Sequence, residues 1–206
     1  MSKIIHAFSG KLDIKSGPVL ASGSRYRRDL LLRLGLPFDS IPPDIDESPL
    51  KSESPETLVQ RLARQKAEKI ARLHPNRVVI GSDQLAVLDT KILGKPGERA
   101  ATIDQLAAFS GRKVTFFTAV TVCALGARSQ WHHTDQTLVE FRTLTRPEIE
   151  RYVEHETPYD CAGGFKCEGL GISLFERIDS SDPTALTGLP LIFVATALRH
   201  YGFFCP

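Results

Sequence analysis

Hydrophobic residues recur along the chain in two patterns, short strand-like runs and longer stretches with helical spacing. Strands are predicted at PVLAS (18–22), KVTFFTAVTVCAL (113–125), WHHTDQTLVEFRTL (131–144) and ISLFERID (172–179). RVVIGSDQLAVLD and KILGKP flank a DT pair, and this arrangement predicts a β-hairpin.

Polar caps and apolar stripes predict five helices, over 24–35, 54–74, 98–111, 145–156 and 188–202. The second helix opens with Ser54 and Pro55, a cap followed by proline at the first helical position. Between the elements lie an extended stretch, FDSIPPDIDESP, and a glycine-rich loop at 158–171. Helices that are mixed with hairpin-linked strands predict an α/β fold with a mixed sheet, not a strict βαβ array.

Composition limits the class of protein. The 206 residues fit one domain or two small lobes, and the net charge of +2 gives no basic field for nucleic acid. Four scattered cysteines without a CxxC pair indicate reduced thiols, and no apolar run reaches the roughly 18 residues of a membrane helix. We therefore expect a cytoplasmic protein without nucleic-acid or membrane partners, in which an N-terminal extension (1–17) precedes a domain at 18–206.

One carboxylate interrupts the apolar strand of the predicted hairpin. Asp83 lies in VVIGSDQLAV, where an ionised carboxylate is costly unless it is paired or bound to a metal. It could hold Mg²⁺, act as a base on water, or bond to backbone in an ordinary turn. Asp46 and Glu47 supply a second acidic cluster, and two carboxylates are compatible with nearby phosphates if a metal lies between them.

The first predicted strand leads into a polar turn, LASGSRYRR, at the start of a helix. Backbone N–H groups at a helix N-terminus favour anions, and Ser22, Ser24 and Arg27 add donors at the same end. The turn is either a phosphate cradle or an ordinary capped helix with solvated arginines. It carries neither a Walker motif nor a Rossmann fingerprint.

Two lysines stand at restrained positions. Lys66 interrupts the apolar stripe of Leu58, Leu62 and Ile70, so it either snorkels from the edge of that stripe or meets an anion at the mouth of a cleft. Lys95 stands between glycine and proline in GKP, where its ammonium could be a fixed point charge for phosphate.

The late glycine-rich segment, AGGFKCEGLG, carries charge in a flexible setting. Its glycines allow close backbone approach to a flat ligand. Lys166 and Glu168 flank Cys167, and both charges could instead be simply solvated.

These motifs occur in an order that resembles a known family. LASGSRYRRDLL, DIDES, RLARQKA, VVIGSDQLAVLD…GKP and CAGGFKCEGLGISLFERIDSSDPTALTGLPL together resemble the Maf family of nucleoside triphosphate pyrophosphatases, over about 19–199. SDQ and FKCEG are most similar to the 7-methyl-GTP pyrophosphatase branch, whereas the dTTP/UTP branch typically carries ADT and a late glutamine. The resemblance implies an elongated, two-lobed α/β fold with a mixed sheet, flanking helices and a central cleft, like that of inosine triphosphate pyrophosphatases.

The resemblance also implies chemistry. A nucleoside triphosphate is cleaved between its α- and β-phosphates, a divalent metal (Mg²⁺ or Mn²⁺) takes part, and the protein is commonly a homodimer. Asp83 matches the family's proton acceptor, and Glu47 and Asp83 are the implied metal ligands. The implied phosphate-binding residues are Ser22, Ser24, Arg27, Lys66 and Lys95.

Three further positions are implied to set base choice. They are Tyr26, Gln84 and Glu168. The branch usually carries tryptophan at position 26, so tyrosine there could soften selectivity.

The predicted function is hydrolysis of 7-methyl-GTP to the monophosphate and pyrophosphate, a house-cleaning activity. A dTTP/UTP pyrophosphatase of the same family would differ only at positions 26, 84 and 168. The other alternative is a non-catalytic nucleotide-binding regulator of cell division, which would not need Asp83, Glu47 and the cations together.

Overall fold

The computed structural model describes residues 11–125 and 130–205. The strands are β1 Val19–Ala21, β2 Asp39–Ser40, β3 Val79–Leu88, β4 Lys91–Leu93, β5 Lys113–Cys123, β6 Trp131–Phe141 and β7 Phe175–Asp179. The α-helices are α1 Arg25–Leu32, α2 Pro55–Leu73, α3 Arg99–Phe109, α4 Arg146–Glu156 and α5 Leu191–His200. Three short 3₁₀ helices lie at Ala162–Gly164, Leu170–Leu174 and Ala185–Thr187.

All seven strands form one mixed sheet. Its order is β2-β1-β3-β5-β6-β7, and β4 pairs with the outer part of β3. β1 runs parallel to β2 and β3, whereas the other pairings are antiparallel. The predicted hairpin is confirmed, because Leu88 pairs with Lys91 across a two-residue turn in which Asp89 has φ 55°. The α/β class with a mixed sheet is therefore confirmed.

The described residues form four clusters of buried hydrophobic side chains on the long strands β3 and β5, and the two largest are the main cores. The first core packs α1 and α5 against the sheet and includes Ile80 and Val122. The second core packs α3 and α4 against the other ends of the same strands and includes Ala86 and Phe116. The two smaller clusters pack α2 against the sheet. Helices therefore flank the mixed sheet, and the two main cores correspond to the predicted two lobes.

The five predicted helices are all present, but one strand prediction is wrong in its first half. ISLFERID becomes β7 only from Phe175, because Leu170–Leu174 forms a 3₁₀ helix. The carbonyl of Lys166 accepts from the amides of Gly169 at 3.2 Å and Gly171 at 3.0 Å, and this tight turn winds the chain into the 3₁₀ helix.

The segments at the chain start and between β5 and β6 are only partly described. Residues 1–10 of the predicted extension and residues 126–129 of the predicted GARSQ turn lie outside the described residues. The remainder of the extension contacts the domain, since the amide of Asp13 donates to the carbonyl of Asn76 at 2.8 Å. Among the described helices, none is both long and apolar enough to cross a membrane.

The edge of β3 that carries β1 and β4 has a gap. β1 pairs with β3 up to Gly81, and β4 pairs with it only from Ala86. In the described part of the chain, 82–85 therefore have no partner strand on this edge. β1 ends at the gap and turns into α1, and ligands of open α/β sheets bind at such strand ends.

Gly81 allows α2 to approach β3 beside this gap. A Cβ atom at Gly81 would lie 2.3 Å from the carbonyl oxygen of Ala63 and 2.6 Å from the amide of Ala67. Because side chains alternate along a strand, Asp83 projects on the same face as Gly81, toward α2, and Gln84 projects on the opposite face. Two neighbouring residues in the sequence therefore meet different partners.

Candidate active site

The gap in the sheet opens into a cleft of about 750 Å³. The turn after β1, the inner face of α2 and the loop after β4 line this cleft, and a narrower cavity of about 90 Å³ adjoins it. The structure places every side chain predicted for the site in the wall of one space or the other. These side chains are Ser22, Ser24, Tyr26, Arg27, Glu47, Lys66, Asp83, Gln84, Lys95 and Glu168.

We call Arg27, Glu47, Lys66 and Asp83 the charged end of the cleft. The ammonium of Lys66 lies 2.6 Å from Asp83 Oδ1 and 2.7 Å from Glu47 Oε1. The Lys66 and Asp83 side chains are only 7% and 11% exposed, so Lys66 does not snorkel to solvent. An isolated carboxylate would be costly at this depth, and the lysine compensates it.

Glu47 and Asp83, the predicted metal ligands, reach the same ammonium. Among the described residues, no group of three or more His, Cys, Asp or Glu side chains could hold a metal without further ligands. Each carboxylate uses one oxygen for Lys66, and within the described residues its second oxygen makes no hydrogen bond or ion pair. Mg²⁺ often takes one or two carboxylates and completes its shell with phosphate oxygens and water. The donor chemistry therefore fits a metal that enters with a phosphate ligand.

Arg27 is fixed at the start of α1. Its Nε donates to the Gly188 carbonyl at 2.9 Å, and its Nη1 lies 3.5 Å from Ser22 Oγ. Burial lowers the pKa of the guanidinium, while Asp83 and Glu47 oppose that shift. Arginine pKa values start so high that Arg27 stays charged at neutral pH.

Ser22 and Ser24 organise the turn itself. Ser22 Oγ accepts from the Ser24 amide at 3.1 Å, and Ser24 caps α1 by accepting from the Arg27 amide at 3.4 Å. The first-turn amides of Arg25 and Tyr26 have no intrahelical partner, so they remain donors for an anion. The turn can therefore be both an ordinary helix cap and a phosphate-binding site.

Lys95 stands at the opposite wall, in the loop after β4. It lines both spaces and is exposed. Within the described residues it makes no ion pair, so its charge is available to a ligand in the cleft.

We call Tyr26, Gln84 and Glu168 the polar end of the cleft. Gln84 Nε2 donates to the carbonyls of Ala185 at 2.9 Å and Leu186 at 3.0 Å. Only the NH₂ group of an amide can satisfy two carbonyls, so this orientation is fixed. Gln84 therefore offers the cavity its oxygen, which is an acceptor.

Tyr26 is held by groups on both sides of the cleft. Its hydroxyl donates to Asp160 Oδ1 at 3.1 Å and accepts from Arg25 Nη2 at 2.7 Å. The thiol of Cys161 lies 3.2 Å from the same hydroxyl. Burial raises the pKa of the Tyr26 phenol, so it stays a neutral donor.

Glu168 is exposed in the late loop and borders the narrower cavity. Its Oε2 lies 3.5 Å from the Cys167 thiol. Burial raises the pKa of both Cys161 and Cys167 to about 11. Neither cysteine is therefore a ready nucleophile at neutral pH.

Sequence reasoning missed two parts of the site. Asp160 lines both spaces, and the loop at 185–188 supplies the carbonyls that hold Arg27 and Gln84. The sequence signals for these parts are Asp160, next to the CAGG motif, and the segment SDPTALTGLP. Their contacts lie more than 100 residues away along the chain, and no spacing rule reaches that far.

The site is therefore defined by the buried Lys66–Asp83 pair, at a gap in the mixed sheet. Arg27 and Lys95 line the same cleft. The sequence profile of the family described as Maf-like protein matches residues 18–201, and the chain belongs to this family.

Individual relatives are similar over nearly the whole chain. A protein of Xanthomonas oryzae pv. oryzae named 7-methyl-GTP pyrophosphatase is 54% identical over 188 residues, which cover 91% of this chain and 98% of the relative. Proteins with the same name from Ralstonia nicotianae and Idiomarina loihiensis are 52% and 50% identical, covering 90% and 89% of this chain and 97% and 94% of their own.

One solved structure, the Ham1 protein of Staphylococcus aureus, aligns with a TM-score of 0.44 and 16% identity, covering 60% of this chain and 70% of that one. This likeness adds nothing to the fold described above.

Proposed function

We propose that the protein hydrolyses 7-methyl-GTP to 7-methyl-GMP and pyrophosphate, as a house-cleaning enzyme. The observation that carries the reaction class is the contact between Lys66 and Asp83 in a cleft that also holds Arg27 and Lys95. The names of relatives at about half identity support the choice of substrate.

The charged end suits a triphosphate. Arg27, Lys66 and Lys95 would surround its negative charges, with the free amides at the start of α1 as further donors. Asp83 would orient a water molecule, or take its proton, for in-line attack on the α-phosphorus. Catalysis would then be mainly positioning and charge stabilisation.

A divalent cation, Mg²⁺ or Mn²⁺, is part of the proposal. Glu47 and Asp83 would hold it, and it would supply neutralisation of phosphate charge. Lys66 contacts both carboxylates, so phosphates that approach can attract this ammonium away from them. Lys66 would therefore neutralise the two carboxylates in the absence of a ligand and the phosphates in its presence.

The polar end suits a guanine edge. Guanine presents N1–H and N2–H₂, and Glu168 together with the Gln84 oxygen offers acceptors only. A uracil edge also carries carbonyl oxygens, which would face these acceptors without a proton between them. The arrangement therefore favours a donor-rich base.

Tyr26 adds a preference for positive charge. N7-methylation makes guanine cationic, and a cation on an aromatic face gains about 0.5 to 2 kcal/mol. Arg25 Cζ lies 4.8 Å from the ring centroid and covers one face, so a base would use the other. This attraction gives at most roughly thirtyfold preference, and strict selectivity also needs Glu168.

A cytoplasmic location and a homodimer complete the proposal. They follow from the scattered reduced cysteines and from the family resemblance. Size-exclusion chromatography with light scattering tests the dimer, and a monomer at micromolar concentration would contradict it.

A substrate panel tests the function. The protein is incubated with 7-methyl-GTP, GTP, UTP, dTTP and ATP, with Mg²⁺, Mn²⁺ or EDTA, and pyrophosphate is measured. We expect the fastest release from 7-methyl-GTP and none with EDTA. Fastest release from UTP or dTTP would favour the dTTP/UTP branch, and no release at all would favour a non-catalytic regulator.

A further inference from the structure

A partly buried ion pair holds the turn that carries Glu168. Lys166 Nζ lies 3.4 Å from Glu156 Oε1 and donates to the Glu156 carbonyl at 2.5 Å. The two side chains are only 15% and 17% exposed, so the solvated-charge interpretation of Lys166 is wrong. Its ammonium is already used within the protein and is not a ligand for phosphate.

Glu156 also binds the far side of the turn. Its Oε2 accepts from the amide of Leu170 at 2.7 Å. On the near side, the Tyr152 hydroxyl accepts from the amide of Lys166 at 3.0 Å. Side chains of the C-terminal part of α4 therefore form hydrogen bonds with the backbone both before and after Glu168.

Two glycines let the turn sit this close to α4. A Cβ atom at Gly169 would lie 2.6 Å from Glu156 Oε2, and one at Gly171 would lie 2.3 Å from the carbonyl oxygen of Lys166. A side chain at Gly169 would displace the Glu156 carboxylate, and a side chain at Gly171 would displace the backbone of the turn.

Glu168 has little else to fix it. It is exposed, and its carboxylate lies 3.5 Å from the Cys167 thiol. The backbone of the turn therefore sets where the Glu168 side chain starts, and Glu156 contacts this turn through the Lys166 ammonium and the Leu170 amide.

We propose that Glu156 and Lys166 are positioning residues that hold Glu168 for base recognition. The inference rests on the proposed function, since the role of Glu168 in base choice is part of it. Asp83 and Lys66 lie on β3 and α2, away from this turn. Loss of the ion pair therefore changes base choice and leaves the phosphate chemistry intact.

The test compares kcat/KM for 7-methyl-GTP and UTP in Glu156→Ala. The ratio falls about tenfold or more, because a small displacement of a recognition group is costly, and kcat for UTP stays within about twofold. Glu156→Gln keeps an acceptor for the Leu170 amide and shows a smaller fall. Glu154→Ala, an exposed position on the same helix, is the matched control and leaves the ratio unchanged.

A double variant separates positioning from general damage. If Glu156 acts through Glu168, then Glu156→Ala lowers the ratio no further when Glu168→Gln is already present. Additive losses would overturn the inference. Lys166→Met gives the same comparison should Glu156→Ala fail to fold.

Hydrogen exchange supplies a readout without substrate. Amides at 166–171 exchange about tenfold faster in Glu156→Ala, and those of β3 do not. Unchanged exchange at the turn overturns the inference, as does faster exchange with an intact substrate ratio. Failure of the proposed function appears separately, as absence of pyrophosphate release from 7-methyl-GTP by the wild-type protein.

Discussion

The charged end and the polar end of the cleft are held together in different ways. At the charged end, Lys66 and Asp83 are 17 residues apart and meet because α2 packs directly on β3 at Gly81. At the polar end, hydrogen bonds join Tyr26 to Asp160 and Gln84 to Ala185, across 134 and 101 residues. The acid–lysine pair of the charged end therefore depends on one helix–strand contact, although Arg27 is also held by the Gly188 carbonyl. The hydrogen bonds of the polar end all depend on loops from the distant half of the chain.

This difference corresponds to two functions, binding of the triphosphate and recognition of the base. The charged end compensates its own charges without a ligand, so it suits a group that every nucleoside triphosphate shares. The polar end leaves the Gln84 oxygen and Glu168 open to the cavity, so it suits the part of the ligand that varies. Changes at the charged end should affect all substrates alike, and changes at the polar end should affect their ratio.

The largest effect is expected from Asp83→Asn. Loss of the acceptor for the water proton lowers kcat by about 10³-fold for both 7-methyl-GTP and UTP. Steady-state pyrophosphate release measures this, with the exposed Asp104→Asn as control. Full turnover in Asp83→Asn would refute its assignment to the charged end.

Lys66→Met should lower activity and stability together. It leaves Asp83 buried without its partner, which costs about 3 kcal/mol of unfolding free energy, and it removes a phosphate-binding charge. Urea unfolding and kcat are compared with Lys69→Met, on the exposed side of the same helix. An unchanged midpoint of unfolding would show that the charged end does not depend on this pair.

Glu168→Gln should change selectivity. A glutamine offers a mixed donor and acceptor pair, so kcat/KM falls about tenfold more for 7-methyl-GTP than for UTP. Glu176→Gln, exposed on β7, is the control. An equal fall in kcat/KM for both substrates would show that the polar end does not set base choice.

The smallest effect concerns acid stability. Hydrogen bonds from Arg61 and the Leu50 amide lower the pKa of Glu53 to about 2 from its usual 4.5. Because this pKa is lowered on folding, the contribution to stability is present above pH 4.5 and is lost as pH falls toward 2. Arg61 also donates to the Ser48 carbonyl, beside Glu47. Glu53→Gln should therefore make the free energy of unfolding, measured with urea, less dependent on pH across that range. An unchanged pH dependence would show that the Glu53–Arg61 pair does not stabilise the segment beside Glu47.

The sequence predicted the members of the site better than the means of holding them. Asp83 was recognised as costly, and Lys66 as an interruption of a stripe, because both break a periodic pattern. Their contact was not predicted, since it depends on how closely α2 approaches Gly81. Gln84 was chosen by resemblance alone, and its fixed amide depends on carbonyls of a loop folded back from the far end of the chain.

Two sequence-based expectations are wrong because contacts within the fold override the pattern of the sequence. The apolar run at 172–174 reads as strand, yet a tight turn closed on the Lys166 carbonyl winds it into a 3₁₀ helix. Lys166 reads as a solvated charge, yet it is partly buried and pairs with Glu156. In the first case a local turn overrides the strand pattern, and in the second case a contact with α4 overrides the expectation of a solvated charge.

The most direct test of the account is a single turnover of 7-methyl-GTP in ¹⁸O-labelled water, with products analysed by mass spectrometry. Water activated at Asp83 attacks the α-phosphorus, so the account predicts one ¹⁸O atom in 7-methyl-GMP and none in pyrophosphate. Label in the pyrophosphate, or release of orthophosphate with a nucleoside diphosphate, would contradict it.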